Sequence, residues 1–142
     1  MTPDAVEIRR IIESRNADAI RWYGSGDADS IANLCVADAW QMPPNAPPLV
    51  GREVIRAFWK VALEWGSWKF DFQTQDVVVC EQHAVERGKY RLSFTAKPGL
   101  VGGMPSLDDQ GNYVVLWRRE NDGEWRVVWD APVSEKTLVV TR

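Results

Sequence analysis

Histidine is nearly absent from this chain, with His83 the one example among 142 residues. Zinc sites and Ser-His-Asp triads both draw on imidazoles, so neither has its usual parts here. His83 itself falls in the polar turn Glu81-Gln82-His83, where a solvated ring is expected. Cysteine is scarce too. Cys35 and Cys80 have no CxxC partner and are read as isolated thiols, one in a helix and one in a strand, which suits a reducing compartment. No apolar run approaches the roughly 18 residues that a membrane span needs. Met1-Thr2-Pro3-Asp4 lacks the charged and apolar regions of a secretory signal, so a cytoplasmic location away from membranes is expected. Basic charge is also not in excess: 17 Lys and Arg against 20 Asp and Glu give a net charge of −3 with no positive stripe. Nucleic acid is therefore not an expected partner. No metal and no cofactor are expected.

What is present points to one globular domain spanning residues 1–142, with 45% hydrophobic and 26% charged residues. The most informative stretch is Met42-Pro43-Pro44-Asn45-Ala46-Pro47-Pro48-Leu49. Paired prolines fix φ and remove amide donors, so this arm runs extended along an edge. An amphipathic helix follows it at once, and a stiff arm ahead of such a helix is how the mouth of a pocket is built.

Ile8, Ile11, Ile12, Ala19, Trp22 and Tyr23 recur at helical spacing, so a first helix is expected from about Pro3 to Tyr23, stopping at Gly24-Ser25-Gly26. Arg15 and Asn16 interrupt that stripe. They are either rim positions reaching water or, for Asn16, a hydrogen-bond donor inside a pocket. Asp27 caps a second short helix, with Ile31, Leu34 and Cys35 inward and an end near Ala37. Trp40 and Met42 alternate around Gln41 as a short strand would. Gly51 opens the third helix, whose buried face is read as Ile55, Phe58, Ala62 and Trp65, with Trp59 beside it.

From Trp68 the period becomes two. Trp68, Phe70 and Phe72 alternate with Lys69 and Asp71, and Val77 to Cys80 reads as a buried run. In Ala84 to Thr95, the residues Ala84, Glu86, Gly88, Tyr90, Leu92 and Phe94 share one face, which places Glu86 on the core side. Lys97 to Gly111, rich in glycine and proline, is either a lid-like flap or a disordered crossing. Tyr113 to Arg119 and Glu124 to Ala131 form a hairpin through Asn121-Asp122-Gly123, and Val133 to Arg142 adds a frayed edge. The sum is an α+β fold: three N-terminal helices packed on a curved antiparallel sheet of four to six strands.

Gly26-Asp27-Ala28-Asp29, Met42-Pro43-Pro44-Asn45 and Gly51-Arg52-Glu53-Val54-Ile55-Arg56-Ala57-Phe58-Trp59, in this order of elements, resemble the nuclear-transport-factor-2-like superfamily. Glu86-Arg87-Gly88-Lys89-Tyr90 and Asp122-Gly123-Glu124-Trp125-Arg126-Val127-Val128-Trp129-Asp130 are similar to its SnoaL-like, ketosteroid-isomerase-like small domains of unknown function. The resemblance covers nearly the whole chain. It implies a cystatin-like cone, a homodimer through the outer sheet face, and a range of activities from isomerases, cyclases and dehydratases to pure binding modules.

Steroid isomerisation in that family needs a carboxylate base, a tyrosine and a protonated acid. By the resemblance these would fall at Pro43, Ala19 and Val115, none of which moves a proton. Tyr23, one turn beyond Ala19, offers a hydroxyl from the same helix face. The inward carboxylates that remain are Glu86 and, if the last hairpin keeps the family register, Asp130. Walled by indoles, either would lose hydration and serve as a general acid or base near neutral pH. The structural alternative pairs each with an arginine, and Arg15, Arg52 or Arg56 would supply it, or with backbone amides. Of the eight tryptophans, Trp65, Trp68 and Trp125 are assigned to packing or the dimer face. Trp22, Trp40, Trp59 and Trp117 are placed near the open end, where Asn16, Tyr23, Met42 and Tyr90 complete a site for a flat hydrophobic small molecule. Two functions fit these residues: a cofactor-independent isomerase, hydratase or cyclase using Glu86 or Asp130, and a dimeric module that binds such a molecule without changing it.

Overall fold

The computed structural model describes residues 4–100 and 102–137. Helix α1, Ala5–Ser25, starts where Asp4 accepts the Val6 amide and stops at Gly26, whose φ of 78° is the left-handed conformation that glycine adopts without steric cost. Its buried stripe is Ile8, Ile12, Ala19 and Tyr23. Asn16 lies within this stripe rather than breaking it, and it turns inward to bond Thr74 and Glu86.

Helix α2, Ala28–Asn33, is capped by Asp27, whose carboxylate takes both the amide and the hydroxyl of Ser30. It ends earlier than the sequence suggests. Strand β1, Cys35–Gln41, begins at once, so Cys35 is a strand residue and not a helical one. Pairing of Cys35 with Val127 in the last hairpin overrides the short helical period. The pleat in β1 also has the opposite phase to the expected one: Ala39 and Gln41 are buried, and Trp40 faces out.

After the proline arm come β2, Leu49–Val50, and helix α3, Arg52–Ala62, which a single 3-10 turn, Leu63–Trp65, extends. Ile55, Trp59 and Ala62 form the buried face of α3. Trp59 is therefore at its centre, while Phe58 and Trp65 pack at its margin. The indole fits inward because its N–H reaches Gln41 Oε1 at 2.8 Å.

Strands β3, Gly66–Cys80, β4, His83–Ala96, β5, Leu107–Arg119, and β6, Trp125–Ser134, form a meander. The six-stranded sheet has the order β2-β1-β6-β5-β4-β3. All pairs are antiparallel except β1 with β6, which run parallel. Register slips that leave Gln75 of β3 and Val128 of β6 unpaired mark bulges, which add twist and curl the sheet around α1. The connection from β4 to β5 is shorter than its composition suggests, since Leu107 already pairs with Phe94 and Gly111 with Tyr90. Val133 and Ser134 close β6, residues 135–137 of the expected frayed edge follow outside any strand, and 138–142 lie outside the described residues. Among the described residues no helix is long and apolar enough to cross a membrane.

The concave face holds the core, in which Trp68, Phe94, Tyr90, Tyr113 and Trp117 meet the helices. The convex face carries an apolar row that crosses every strand. Val78 pairs with Val85, Val85 with Leu116, Leu116 with Trp129, Trp129 with Trp40, and Trp40 with Val50. Trp129 is 53% exposed and Trp40 41%.

Candidate functional site

Helices and sheet do not close on each other completely. Between α1, α3 and the concave face lies a cavity of about 900 Å³, with Pro43, Pro44, Asn45, Ala46, Pro47 and Pro48 along its rim. The proline arm thus stands where its rigidity predicts. Asn45 holds a left-handed φ of 57° between the two proline pairs, a conformation that asparagine tolerates better than most residues.

Aromatic rings make up most of the wall and brace one another. Tyr23 lies 4.7 Å from Trp59, Trp59 lies 5.0 Å from Trp68, and Phe70 lies 5.4 Å from Phe72, as ring centroids. Offset and edge-on contacts of this kind hold the rings in place without help from a ligand. Trp68, read from sequence as packing, also borders the cavity, with its N–H bonded to the Ala62 carbonyl.

Of the residues expected to line a pocket, Asn16, Tyr23, Trp59, Tyr90 and Trp117 do so. Trp22, Trp40 and Met42 do not border the cavity. Trp22 lies off the Ala19–Tyr23 stripe and borders a shallow groove with Arg15 and Trp125. Trp40 and Met42 have the pleat phase opposite to Gln41, and Trp40 joins the convex row. Sequence reasoning passed over Gln41 because its neighbours are apolar. Its period-two relation to buried Ala39 was the available signal. Pro43, Ala19 and Val115 all line the cavity, so the positions implied for the isomerase groups face it and carry no proton-moving side chain.

The two inward carboxylates differ. Glu86 is fully buried and does not border the cavity. One oxygen accepts from Asn16 Nδ2 at 2.8 Å, Thr74 Oγ1 at 2.8 Å and the Tyr113 hydroxyl at 2.5 Å. The other accepts from Trp117 Nε1 at 3.1 Å. Four neutral donors from α1, β3 and β5 thus converge on one β4 side chain, which makes Glu86 an anchor between elements and removes it from contact with a ligand. Gly88, two residues on, makes room for this. A Cβ there would overlap the Tyr113 ring, so Gly88→Ala should push Tyr113 off Glu86 and cost about 1–3 kcal/mol in urea denaturation. Tyr113→Phe, which keeps the ring and loses one hydrogen bond, should cost about 1 kcal/mol.

Asp130 lies on the cavity, next to Gln41 across the parallel β1–β6 register. Burial pushes its carboxyl up to about 6, hydrogen bonding from Gln41 holds it back, and the Glu86 charge adds to the rise. Around it, Tyr23 is raised far above the usual phenol range, chiefly by burial, and the Cys35 thiol is pushed up to about 12 for the same reason. Both stay protonated at neutral pH, so Asp130 is the member of this group that changes charge there. Gln41 Nε2 donates to the Tyr23 oxygen at 3.4 Å, which leaves the phenol proton free to be donated.

None of the arginines considered as partners reaches either carboxylate. Arg15 pairs with Glu124 and Asp18, Arg52 holds the Cys35 carbonyl at 2.7 and 2.9 Å, and Arg56 pairs with Asp29 and Glu53. A second polar group lies on β4, β5 and β6, where Tyr90 and Ser134 donate to the two oxygens of Asp109 at 2.7 and 2.6 Å. Among the described residues no cluster of His, Cys, Asp and Glu has the arrangement of a metal site.

Comparison with solved structures finds the same architecture elsewhere. A conserved protein from Planctomyces limnophilus is 18% identical with a TM-score of 0.79, covering 90% of this chain and 96% of that one. A ketosteroid isomerase-like protein from Erwinia carotovora is 16% identical with a TM-score of 0.74, again covering 90% and 96%. An NTF2-like protein with a cystatin-like fold from Novosphingobium aromaticivorans is 22% identical with a TM-score of 0.69, covering 88% and 80%. At these identities the likeness is one of fold. No curated protein matches the chain. The SnoaL-like domain model matches residues 17–128, from the middle of α1 into β6 and so through most of the cavity wall, and it shows that this chain belongs to the SnoaL-like domain family.

Proposed function

We propose that this domain binds a flat, largely apolar small molecule in the cavity and exchanges a proton with it through Asp130, as an isomerase, hydratase or cyclase needing no cofactor would. The observation that carries this reading is one ionisable carboxyl, raised to about 6, facing an aromatic-walled space beside a phenol with a free proton. A base is most effective when its pKa lies near the working pH. Asp130 in its ionised form takes a proton from carbon next to a carbonyl, and the electron pair moves to the carbonyl oxygen. Tyr23 donates a hydrogen bond to that oxygen, and Asp130 then returns the proton at a second carbon.

Deuterium exchange into 2-tetralone, followed by NMR in heavy water, tests this directly. The protein should accelerate exchange, with a rate that rises as Asp130 ionises around pH 6, and Asp130→Asn should abolish it. Binding of 2-tetralone without faster exchange would support the second reading, a non-catalytic binding module. That reading is favoured by the inert side chains at Ala19, Pro43 and Val115 on the cavity wall.

The partner proposed for the convex face is a second copy of the chain. The row from Val78 through Trp129 to Val50 leaves the indoles of Trp40 and Trp129 and the side chains of Val50, Val78 and Val85 exposed. Exposed apolar surface of this extent marks an interface. Sedimentation equilibrium should find a dimer that Trp129→Glu converts to monomer, and a monomeric wild-type protein at high concentration would contradict it.

A further inference from the structure

Resting on the cavity reading above, we infer that the ligand carries a basic nitrogen, protonated or protonatable, which is held against the Asp130 carboxylate while its ring system lies on the aromatic wall. The charges on the cavity are unbalanced in one direction. Asp130 and Asp109 line its interior, while Asp108 and Lys136 are exposed at its margin, and among the described residues Lys136 is the one cationic side chain that borders it. Behind the wall, Glu86 adds a fourth carboxyl group. Among the described residues no guanidinium or ammonium lies within ion-pair distance of Asp130, Asp109 or Glu86, although the surface of the same protein pairs its acids with arginine repeatedly.

A cleft with low-dielectric walls concentrates the field of such carboxylates. A cation entering it gains their attraction, a neutral molecule gains only burial, and an anion is repelled. The wall adds to the preference, because the faces of Trp59, Trp68, Phe70 and Tyr23 attract a cation through their ring quadrupoles. The groups that face Asp130 are Tyr23 from α1, Cys35 and Gln41 from β1, Glu86 from β4 and Tyr113 from β5. None of these carries positive charge, and the nearby Arg52 guanidinium, which acts on Cys35, is held on the Cys35 carbonyl. When Asp130 protonates an imine or amine nitrogen, its O–H bond breaks as the N–H bond forms, leaving the carboxylate and the cationic nitrogen paired. With an imine, the protonated C=N accepts the electron pair when ionised Asp130 removes a proton from the neighbouring carbon, so the role of Asp130 as a proton carrier is kept.

Three probes of one shape test this: 2-naphthylmethylamine, 2-naphthylmethanol and 2-naphthoate, titrated calorimetrically at about pH 8 and again at about pH 5. At the higher pH the amine should bind at least tenfold tighter than the alcohol, and the carboxylate should not bind. The preference should shrink at the lower pH, where Asp130 is protonated and the amine remains charged. Asp130→Asn should weaken the amine by roughly 30-fold, the ratio expected for a partly buried charge that loses its partner, and weaken the alcohol far less. The pH comparison on the unaltered protein keeps the test decisive if that variant folds poorly. Alcohol binding equal to or tighter than amine binding at about pH 8 would overturn the inference and leave the cavity reading intact, whereas failure of all three to bind would overturn both.

Discussion

Glu86→Ala should destabilise the domain by roughly 3–5 kcal/mol, lowering the midpoint of thermal unfolding by ten degrees or more. Two losses combine. The side chain is fully buried, so its removal leaves a cavity in the core. It also leaves Asn16, Thr74, Tyr113 and Trp117 without the acceptor they share, and each buried orphan donor costs about 1–3 kcal/mol when water cannot replace the partner. Relaxation of the smaller side chains toward each other offsets part of that sum. Glu86→Gln should be milder, at about 1–3 kcal/mol. Its amide keeps an oxygen for the three donors that converge on one side and turns an N–H toward the indole of Trp117. Urea denaturation of both variants measures the difference. An alanine variant within about 1 kcal/mol of the parent would show that the four hydrogen bonds contribute little net stability.

Asp130→Asn should do the reverse. It should raise stability above neutral pH while removing proton exchange. The sign follows from the raised carboxyl, about 6 in the folded chain against an ordinary 3.8. Below the lower value both states are protonated, and Asp130 costs nothing. As pH rises between the two values the unfolded chain ionises first and is favoured, so stability falls, and above about 6 the whole penalty is present. At about 1.4 kcal/mol for each pH unit of that gap, the penalty is at most about 3 kcal/mol. Asparagine keeps the shape without the charge. Thermal unfolding at about pH 8 should therefore rise by several degrees in the variant, and the two proteins should converge at about pH 4. Such an exchange of stability for function is expected where a charged group is kept in an apolar site. Equal stability of the two proteins across this range would mean that Asp130 is not held away from water.

Much of this arrangement was legible in the residues. Alternation in β4 placed Glu86 and Tyr90 on the concave face, and burial follows that alternation from Ala84 to Phe94. The prolines between Met42 and Leu49 gave the rim its position, since no regular element accommodates four of them in that spacing. Asp130 was aimed inward only through the family register, and it does border the cavity.

Other features depended on contacts far apart in sequence. Cys35 has a helical spacing from Ile31 and Leu34, yet its backbone pairs with Val127 on a strand some ninety residues away. Local period cannot register such a partner. The phase of β1 was lost for a related reason: Gln41 turns inward because Trp59 and Tyr23 supply its hydrogen bonds, and that complementarity exists only once α1 and α3 are in place. The same contact turns Trp40 outward, where it meets Trp129 in the convex row. Glu86 shows the limit from the other side. Its inward direction could be read from the pleat, but the four donors around it come from three other elements, and they separate an anchor from a proton carrier.

The most direct test follows the indole N–H signals by NMR while 2-tetralone is added to the isotopically labelled protein. Trp59 and Trp68, which border the cavity, should shift progressively and saturate, while Trp40 and Trp129 on the convex face should stay in place. Unmoved cavity indoles, or shifts confined to Trp40 and Trp129, would contradict the account of this cavity as a binding site.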